Sequence, residues 1–394
     1  MDKISKTAEL LTEHRKLHNI GSFLIHANAD PEKVTFRKKI NESDGQFNFV
    51  DFPVNPENSE LLSQREVLND YFRDNEFIIA EPVSVINGDR DTIFTTAGVQ
   101  SLSRYIHNED SLPLLPVFIA QPVMRTQFLD VISEGSSINF INAATIGFNR
   151  TPEQHIASLN VWMDLFKKLG FRDELFAYKV KEFSQYWGDK QIIGEKIFII
   201  YDGLEIGDAS YVDSVDQNTR QPISLSDIGF GLERIRWILS GGSYFDIQAK
   251  SSDNLLSNEA KVYCSSLSLL ASEGLEPSNK GAGYRFRLLS KRLVKDLGIN
   301  HECVEAYLES CYDYWGQWTG TPCCKQDAIN TIKKENARNF NRLVLDELSS
   351  YLVKKGQGIN VNVPTDIFIK RLKGVCPAEH IGNALISLGE NNNE

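Results

Sequence analysis

The sequence predicts an α+β protein, with a mixed or antiparallel sheet flanked by helices and then an all-helical domain. Three observations lead there. Between residues 63 and 247, apolar runs of strand length are interrupted by helical stretches. Most of those runs are joined by turns, which suits antiparallel pairing better than the crossovers of a parallel sheet. After Asp246 the strand-like runs give way to helical periodicity, over 254–273, 284–297, 301–317, 325–355 and 365–373.

In chain order, residues 1–62 read as an N-terminal extension. It opens with an amphipathic helix (Ile4, Leu10, Leu11, Leu17), then the turn clusters NADPEK, NESDG and NPENSE separate short apolar runs such as SFLIHA and FNFVDF. Residues 63–247 form the second region. SQREVLNDYFRDN places Val67, Leu68, Tyr71 and Phe72 at helical spacing. Strand-like runs follow in EFIIAEPVSVI, DTIFTTA, LPVFIAQPVM and INFINAATIGF. Pro152 and Glu153 open a helix whose apolar face holds Ile156, Leu159, Trp162, Leu165 and Phe166. KIFIIYDGLEIGDASYVDSV reads as two strands, and DIGFGLERIRWILSG as a strand turning into a helix. Residues 248–394 form the helical region.

With 394 residues the chain can build two domains, each with its own core. Charged residues at 24% and hydrophobic ones at 41% are ordinary for a soluble protein. No apolar run is long enough to span a membrane, and the charged start MDKISKTAELLTEHRK does not resemble a secretory signal. Six cysteines without regular spacing point to a reducing cytoplasm, and Cys323-Cys324 has no second pair at zinc spacing, so no structural zinc is expected. A net charge of −11 argues against general affinity for nucleic acid, so any RNA contact has to come from a local basic patch.

Four segments could carry chemistry. In Asp227-Ile-Gly-Phe-Gly-Leu-Glu-Arg, Gly229 and Gly231 let a backbone approach a ligand at the head of a helix, and Arg234 can reach a phosphate or lie over a base. Alone, the run reads more readily as a helix entry with a glycine turn and a surface arginine. In Gln121-Pro-Val-Met-Arg125, an arginine on a strand fits an anion, and Phe140 beyond it is either core or a face for a base. The acids of Asp202-Gly-Leu-Glu205-Ile-Gly-Asp208 are Mg²⁺ ligands or solvated turn residues. Arg285, Arg287, Lys291, Arg292 and Lys295 form either an RNA contact or a solvated helix face, with 287, 291 and 295 on one side.

Taken together these segments resemble the alanyl-type class II aminoacyl-tRNA synthetases. Thr92-Ile-Phe-Thr-Thr-Ala-Gly98-Val is similar to the family's Leu-Phe-Thr-Asn-Ala-Gly-Met, the Arg125 segment to class II motif 2, and Asp227 through Ile235 to motif 3. Gly274-Leu-Glu-Pro-Ser-Asn-Lys-Gly-Ala-Gly-Tyr284 resembles the Pro-Ser-Asn run of the family's helical tRNA-recognition domain. The likeness covers roughly residues 63–380. It implies a class II antiparallel sheet that activates an amino acid, alanine or a close relative, with ATP and Mg²⁺, in the cytoplasm, and then charges a tRNA acceptor stem. By resemblance, Arg125 grips the ATP α-phosphate and the amino-acid carboxylate. Phe140 and Arg234 sandwich adenine at Gly231, and Glu205 holds Mg²⁺. Asp227 pairs with the substrate α-ammonium beside Gly229, Trp187 and Asp208 in the amino-acid pocket, and Asn279, Arg285, Arg287 and Lys291 meet tRNA.

Several segments depart from that family. Its His-His-Thr-Phe-Phe-Glu-Met appears as Ser-Ser-Ile-Asn-Phe-Ile-Asn142, its Glu-Ile-Trp-Asn as Glu205-Ile-Gly-Asp208, and its Tyr-Asp-x-Tyr-Gly-Phe-Pro as Arg371-Leu-Lys-Gly-Val-Cys-Pro377. Its Phe-Trp-x-Met-Gly-Asp is matched by Tyr186-Trp187-Gly-Asp. The resemblance stops before the family's editing and C-terminal domains. These departures support a second reading, a specialised paralogue that joins its activated amino acid to a small molecule or carrier. A third reading, a non-catalytic RNA-binding relic, conflicts with the retained Arg125, Asp227 and Arg234. His380-Ile-Gly-Asn383 resembles part of a class I signature by coincidence. The motif 1 proline appears as Ile86, and the sequence does not decide between monomer and dimer.

Overall fold

Asp202 and Gly203 both have positive φ, 45° and 88°, the two-residue turn that matches the twist of a tight hairpin. That turn joins the two long central strands, Lys190–Tyr201 (β6) and Leu204–Val215 (β7). The computed structural model describes residues 22–25, 55–86, 92–106, 111–130, 132–187, 190–215, 223–249, 256–297, 304–320 and 322–355, with residues 370, 372, 376 and 381–382. It divides into two compact units. The first comprises residues up to Ile247 with Gln317–Gly320, and the second Gln248–Gly316 with Thr321–Glu394.

The first unit is built on one eight-stranded mixed sheet. In chain order the strands are Ser22–Ile25 (β1), Ile78–Ile79 (β2), Val117–Met124 (β3), Asn139–Phe148 (β4), Phe176–Trp187 (β5), β6, β7 and Ile223–Gly231 (β8). In space their order is β1-β5-β6-β7-β8-β4-β3-β2. The six inner strands are antiparallel, whereas β1 on β5 and β2 on β3 are parallel. The α+β architecture expected from the sequence is therefore present, with parallel pairing confined to the two edges.

One face of the sheet is covered by helices. Pro152–Lys168 (α4) starts on a capping box in which Thr151 accepts from the Gln154 N–H and Gln154 accepts from the Thr151 N–H. Its Trp162 donates to Thr145 on β4 and packs on Phe230 of β8, 4.6 Å between ring centroids. Arg65–Asp74 (α2) adds Phe72, stacked on Phe118 of β3 at 4.0 Å. Pro56–Leu61 (α1) is tied to Leu232–Ser240 (α5) by exchanged bonds between Ser59 and Arg236. The opposite face carries a smaller apolar cluster at one end, where Val99 and Leu102 meet Val117, Ile119, Ala144 and Ile146. A short helix, Ser103–Ile106 (α3), contributes Ile106 to that cluster.

The second unit contains Asn258–Ser272 (α6), Gly281–Leu297 (α7), Val304–Gly316 (α8) and Lys325–Lys355 (α9). These coincide with four of the five helical stretches expected; 365–373 falls mostly outside the described residues.

Two expectations are corrected. Residues 92–97 of DTIFTTA are not a strand: Thr95 donates its N–H to Val85 and accepts the Met124 N–H at its carbonyl, so the backbone there is satisfied as a loop that leads into a 3₁₀ turn over Gly98–Leu102. Of EFIIAEPVSVI only Ile78–Ile79 pairs in the sheet, because Pro82 removes a donor. The helix expected near residues 4–17 and the FNFVDF run lie outside the described residues.

Candidate active site

From Ser226 onward strand β8 alternates between buried and partly exposed residues. Ser226, Ile228 and Phe230 face the helices, Ser226 bonding the buried His155 of α4 at 2.7 Å. Asp227, Gly229 and Gly231 therefore point to the open face. Ladder register sets their neighbours there. Gly231 lies opposite Asn142, Gly229 opposite Ala144 and Asp208, and Asp227 opposite Ile146 and Ser210. The glycines form a floor without side chains between Asn142 on β4 and Asp208 on β7.

Glu205 and Asp208 are three residues apart, which in a regular strand would send them to opposite faces. A bulge prevents this. Gly207 pairs with Ile199 and Glu205 with Ile200, so the ladder skips Ile206 and both carboxylates reach the open face.

Arg125 follows β3 directly. Its N–H bonds Ile138 at 2.6 Å and its Nε donates to Thr96 at 2.9 Å, so the segment around Thr96 aims the guanidinium, which lies 4.8 Å from the centre of the Phe140 ring. Arg234, in the first turn of α5, donates from Nε to Gly135 at 2.6 Å and from Nη1 to Glu205 carbonyl at 2.8 Å. Its neighbour Glu233 is buried and accepts the Ile141 N–H of β4 at 2.9 Å, fastening the helix start to the strand that carries Phe140.

Charge is concentrated on this face. Burial draws Arg125 below its ordinary value, with Asp208 opposing and Arg234 adding to the shift. Burial raises Glu205, which Arg234 opposes and Asp208 reinforces. Asp227 is pushed up to about 7, first by burial and then by Asp208, while Lys196 and Arg125 act the other way. Lys196 on β6 completes the set: its Nζ pairs with Asp208 at 3.1 Å and sits within 6 Å of the Phe183 and Phe198 ring centres. Three cations thus face three carboxylates.

Of the residues the sequence singled out, Arg125, Phe140, Glu205, Asp208, Asp227, Gly229, Gly231 and Arg234 share this face. Lys196 and Asn142 join them unannounced. Lys196 sits in a strand whose basic and acidic residues carry no motif, and Asn142 stands at a position that reads as strand interior. The strand of Trp187 is described but its side chain is not, and Gly188 and Asp189 lie outside the described residues. Among the described residues no group of three or more His, Cys, Asp or Glu is arranged as a metal cage. Two neighbouring carboxylates, Glu205 and Asp208, fit an ion such as Mg²⁺ that takes most of its oxygens from a substrate and water.

In the second unit, Gly283 lets the 276–278 turn fold against α7, since a Cβ there would lie 2.3 Å from Ser278 Oγ. Asn279, next after that turn, accepts from Arg287, which also pairs with the buried Glu335 of α9 at 3.7 Å. Arg287 is thereby part of the helix packing and Arg285 is half-buried, while Lys291 and Lys295 are exposed. Arg371–Pro377 and His380–Asn383 lie mostly outside the described residues.

No protein-family profile matches the chain. It is 29% identical over 139 residues to the alanine–tRNA ligase of Caldivirga maquilingensis, covering 33% of this chain and 15% of that one. With the alanine–tRNA ligase of Saccharolobus islandicus it shares 21% identity over 391 aligned residues, 78% of this chain and 42% of the relative. Over those stretches the chain is similar to alanine–tRNA ligases. It spans less than half the length of those relatives. A pyrrolysyl-tRNA synthetase, PylSc from Desulfitobacterium hafniense, aligns over 50% of this chain and 75% of its own, at 13% identity and a TM-score of 0.34. No helix among the described residues is long and apolar enough to cross a membrane.

Proposed function

We propose that this synthetase-like chain is a ligase that uses ATP to activate the carboxylate of an amino acid and passes the acyl group to a tRNA 3′ end. The observation that carries this reading is the convergence of Arg125, Arg234, Glu205, Asp208 and Asp227 around a glycine floor beside Phe140. An arginine pair with an aromatic face suits a nucleoside triphosphate, and a carboxylate deep on the same floor suits an ammonium group.

Each residue then has a task. Phe140 and Arg234 hold adenine between a ring and a guanidinium. Arg125 spans the α-phosphate and the amino-acid carboxylate. Asp227 receives the α-ammonium, and Glu205, with Asp208, would hold a Mg²⁺, which would supply positive charge to offset that of the phosphates. A carboxylate oxygen attacks the α-phosphorus, the bond to the bridging oxygen breaks and pyrophosphate leaves with the electron pair. The nucleophile is already ionised, so no general base is required, and the protein supplies positioning and electrostatic stabilisation. The exposed Lys291 and Lys295 are the tRNA contacts of the helical unit, with Arg287 bracing them through Glu335.

ATP–pyrophosphate exchange with each of the twenty amino acids tests the reading. Exchange with at least one of them, lost at least 100-fold in Arg125→Ala, is expected. Exchange that survives the substitution would refute the role given to Arg125. Charging of purified tRNA then separates a synthetase from a ligase that acts on a small acceptor. The second reading draws on the Lys196–Asp208 pair, which gives the amino-acid end of the floor a charged wall that a plain methyl side chain does not need.

A further inference from the structure

Asn142 is nine-tenths buried, yet its amide is only half used. Its Oδ1 accepts the Gly98 N–H at 2.7 Å. That bond fixes which way the carboxamide points, because a backbone N–H needs the oxygen and not the nitrogen. Nδ2 is therefore turned into the site, where it donates to no protein group among the described residues. It hangs directly over the glycine floor: a Cβ built on Gly229 would lie 2.9 Å from it. Gly229 faces Asp208 across the ladder, and Asp227 is the next residue of β8 on that face. Nδ2 itself is not sealed from solvent, and a ligand that covers it has to present an acceptor or leave it unmatched.

Resting on the amino-acid-activating role given above, we propose that Asn142 is a substrate-contacting residue whose Nδ2 donates a hydrogen bond to an oxygen of the amino-acid substrate. Its surroundings argue for an acceptor oxygen. Asp208 pairs with Lys196, Asp227 is assigned to the substrate ammonium, and Arg125 lies on the Phe140 side. The oxygen belongs either to the substrate's carboxylate or to its side chain, and the two sources behave differently under test. Donation to the carboxylate serves every amino acid alike. Donation to a side-chain oxygen restricts the chain to amino acids that carry one and excludes alanine.

Two variants isolate the donor. Asn142→Asp keeps an oxygen for the Gly98 N–H but removes the amide nitrogen, while Asn142→Ala removes both without adding charge. The property both lack is the donor. The full chain and each variant are titrated calorimetrically with the twenty amino acids and, separately, with ATP, and exchange is measured in parallel. Both variants are expected to bind the preferred amino acid about 10- to 100-fold more weakly, with ATP affinity unchanged. Equal losses for all amino acids that bind assign the carboxylate; a loss confined to oxygen-bearing side chains assigns the side chain. If Asn142→Asp binds as the parent does and only Asn142→Ala is impaired, Asn142 merely braces Gly98 and the proposal fails while activation stands. Amino-acid binding that depends on Asn142 without any exchange would overturn the activation reading and keep the contact. Absence of amino-acid binding to the parent would sink both.

Discussion

Asp227 is held ready for a cation that the protein itself does not supply, and this has a measurable cost. Its carboxyl rises from 3.8 to about 7, mainly because the sheet removes it from water. That rise corresponds to at most about 4 kcal/mol, at 1.36 kcal/mol per pK unit. Relaxation around the ionised group reduces this, and ~1–3 kcal/mol is expected. The sign follows from which state holds the proton. Between about pH 4 and pH 7 the folded chain keeps a proton on Asp227 that the unfolded chain has lost, so stability falls as pH rises through this range. Asp227→Asn never ionises and escapes the penalty. Urea unfolding of both proteins from pH 4 to 8.5 should show equal stability at the acid end, an increasing advantage for the variant, and a plateau above about pH 7. The same variant should lose amino-acid binding. A stability difference that does not change with pH, or a variant less stable than its parent at pH 8, would refute the reasoning.

Other consequences follow from neighbouring residues. Lys196→Met removes a cation that opposes the rise at Asp227, so the plateau in the same unfolding comparison should move to higher pH. Gly207→Ala would place a Cβ 2.3 Å from Phe230 Cδ1 and 2.4 Å from the Gly229 carbonyl, and should cost ~3 kcal/mol in urea unfolding at any pH.

Much of this site could be read in the order of residues, and the unread part has physical causes. The strand-to-helix passage through Gly229 and Gly231 was legible because alternation stops at a glycine and a helical period begins in the same few residues. Helix α4 was legible because Pro152 and Glu153 mark its start and a wide apolar face follows. Strand β5 was missed although Phe176, Tyr178 and Val180 recur at every second position, since Ala177 blurs the alternation at its start. DTIFTTA has strand composition but is held by single bonds to separate neighbours, which composition does not report. Glu205 and Asp208 were noticed as acids, yet their common face depends on a skipped ladder position. Asn142 and Lys196 acquire meaning only from the residues that register brings opposite them.

The skipped position at Ile206 also says where the length of this chain can vary. Without Ile206, Glu205 would stand two residues before Asp208, and plain alternation would keep both acids on the open face opposite the same β6 partners. The strand can thus gain or lose that residue while the acids stay in place. Chains that share this ancestry and differ by one residue at this point can therefore conserve the chemistry. An alignment that penalises the gap would part residues that occupy the same place in space.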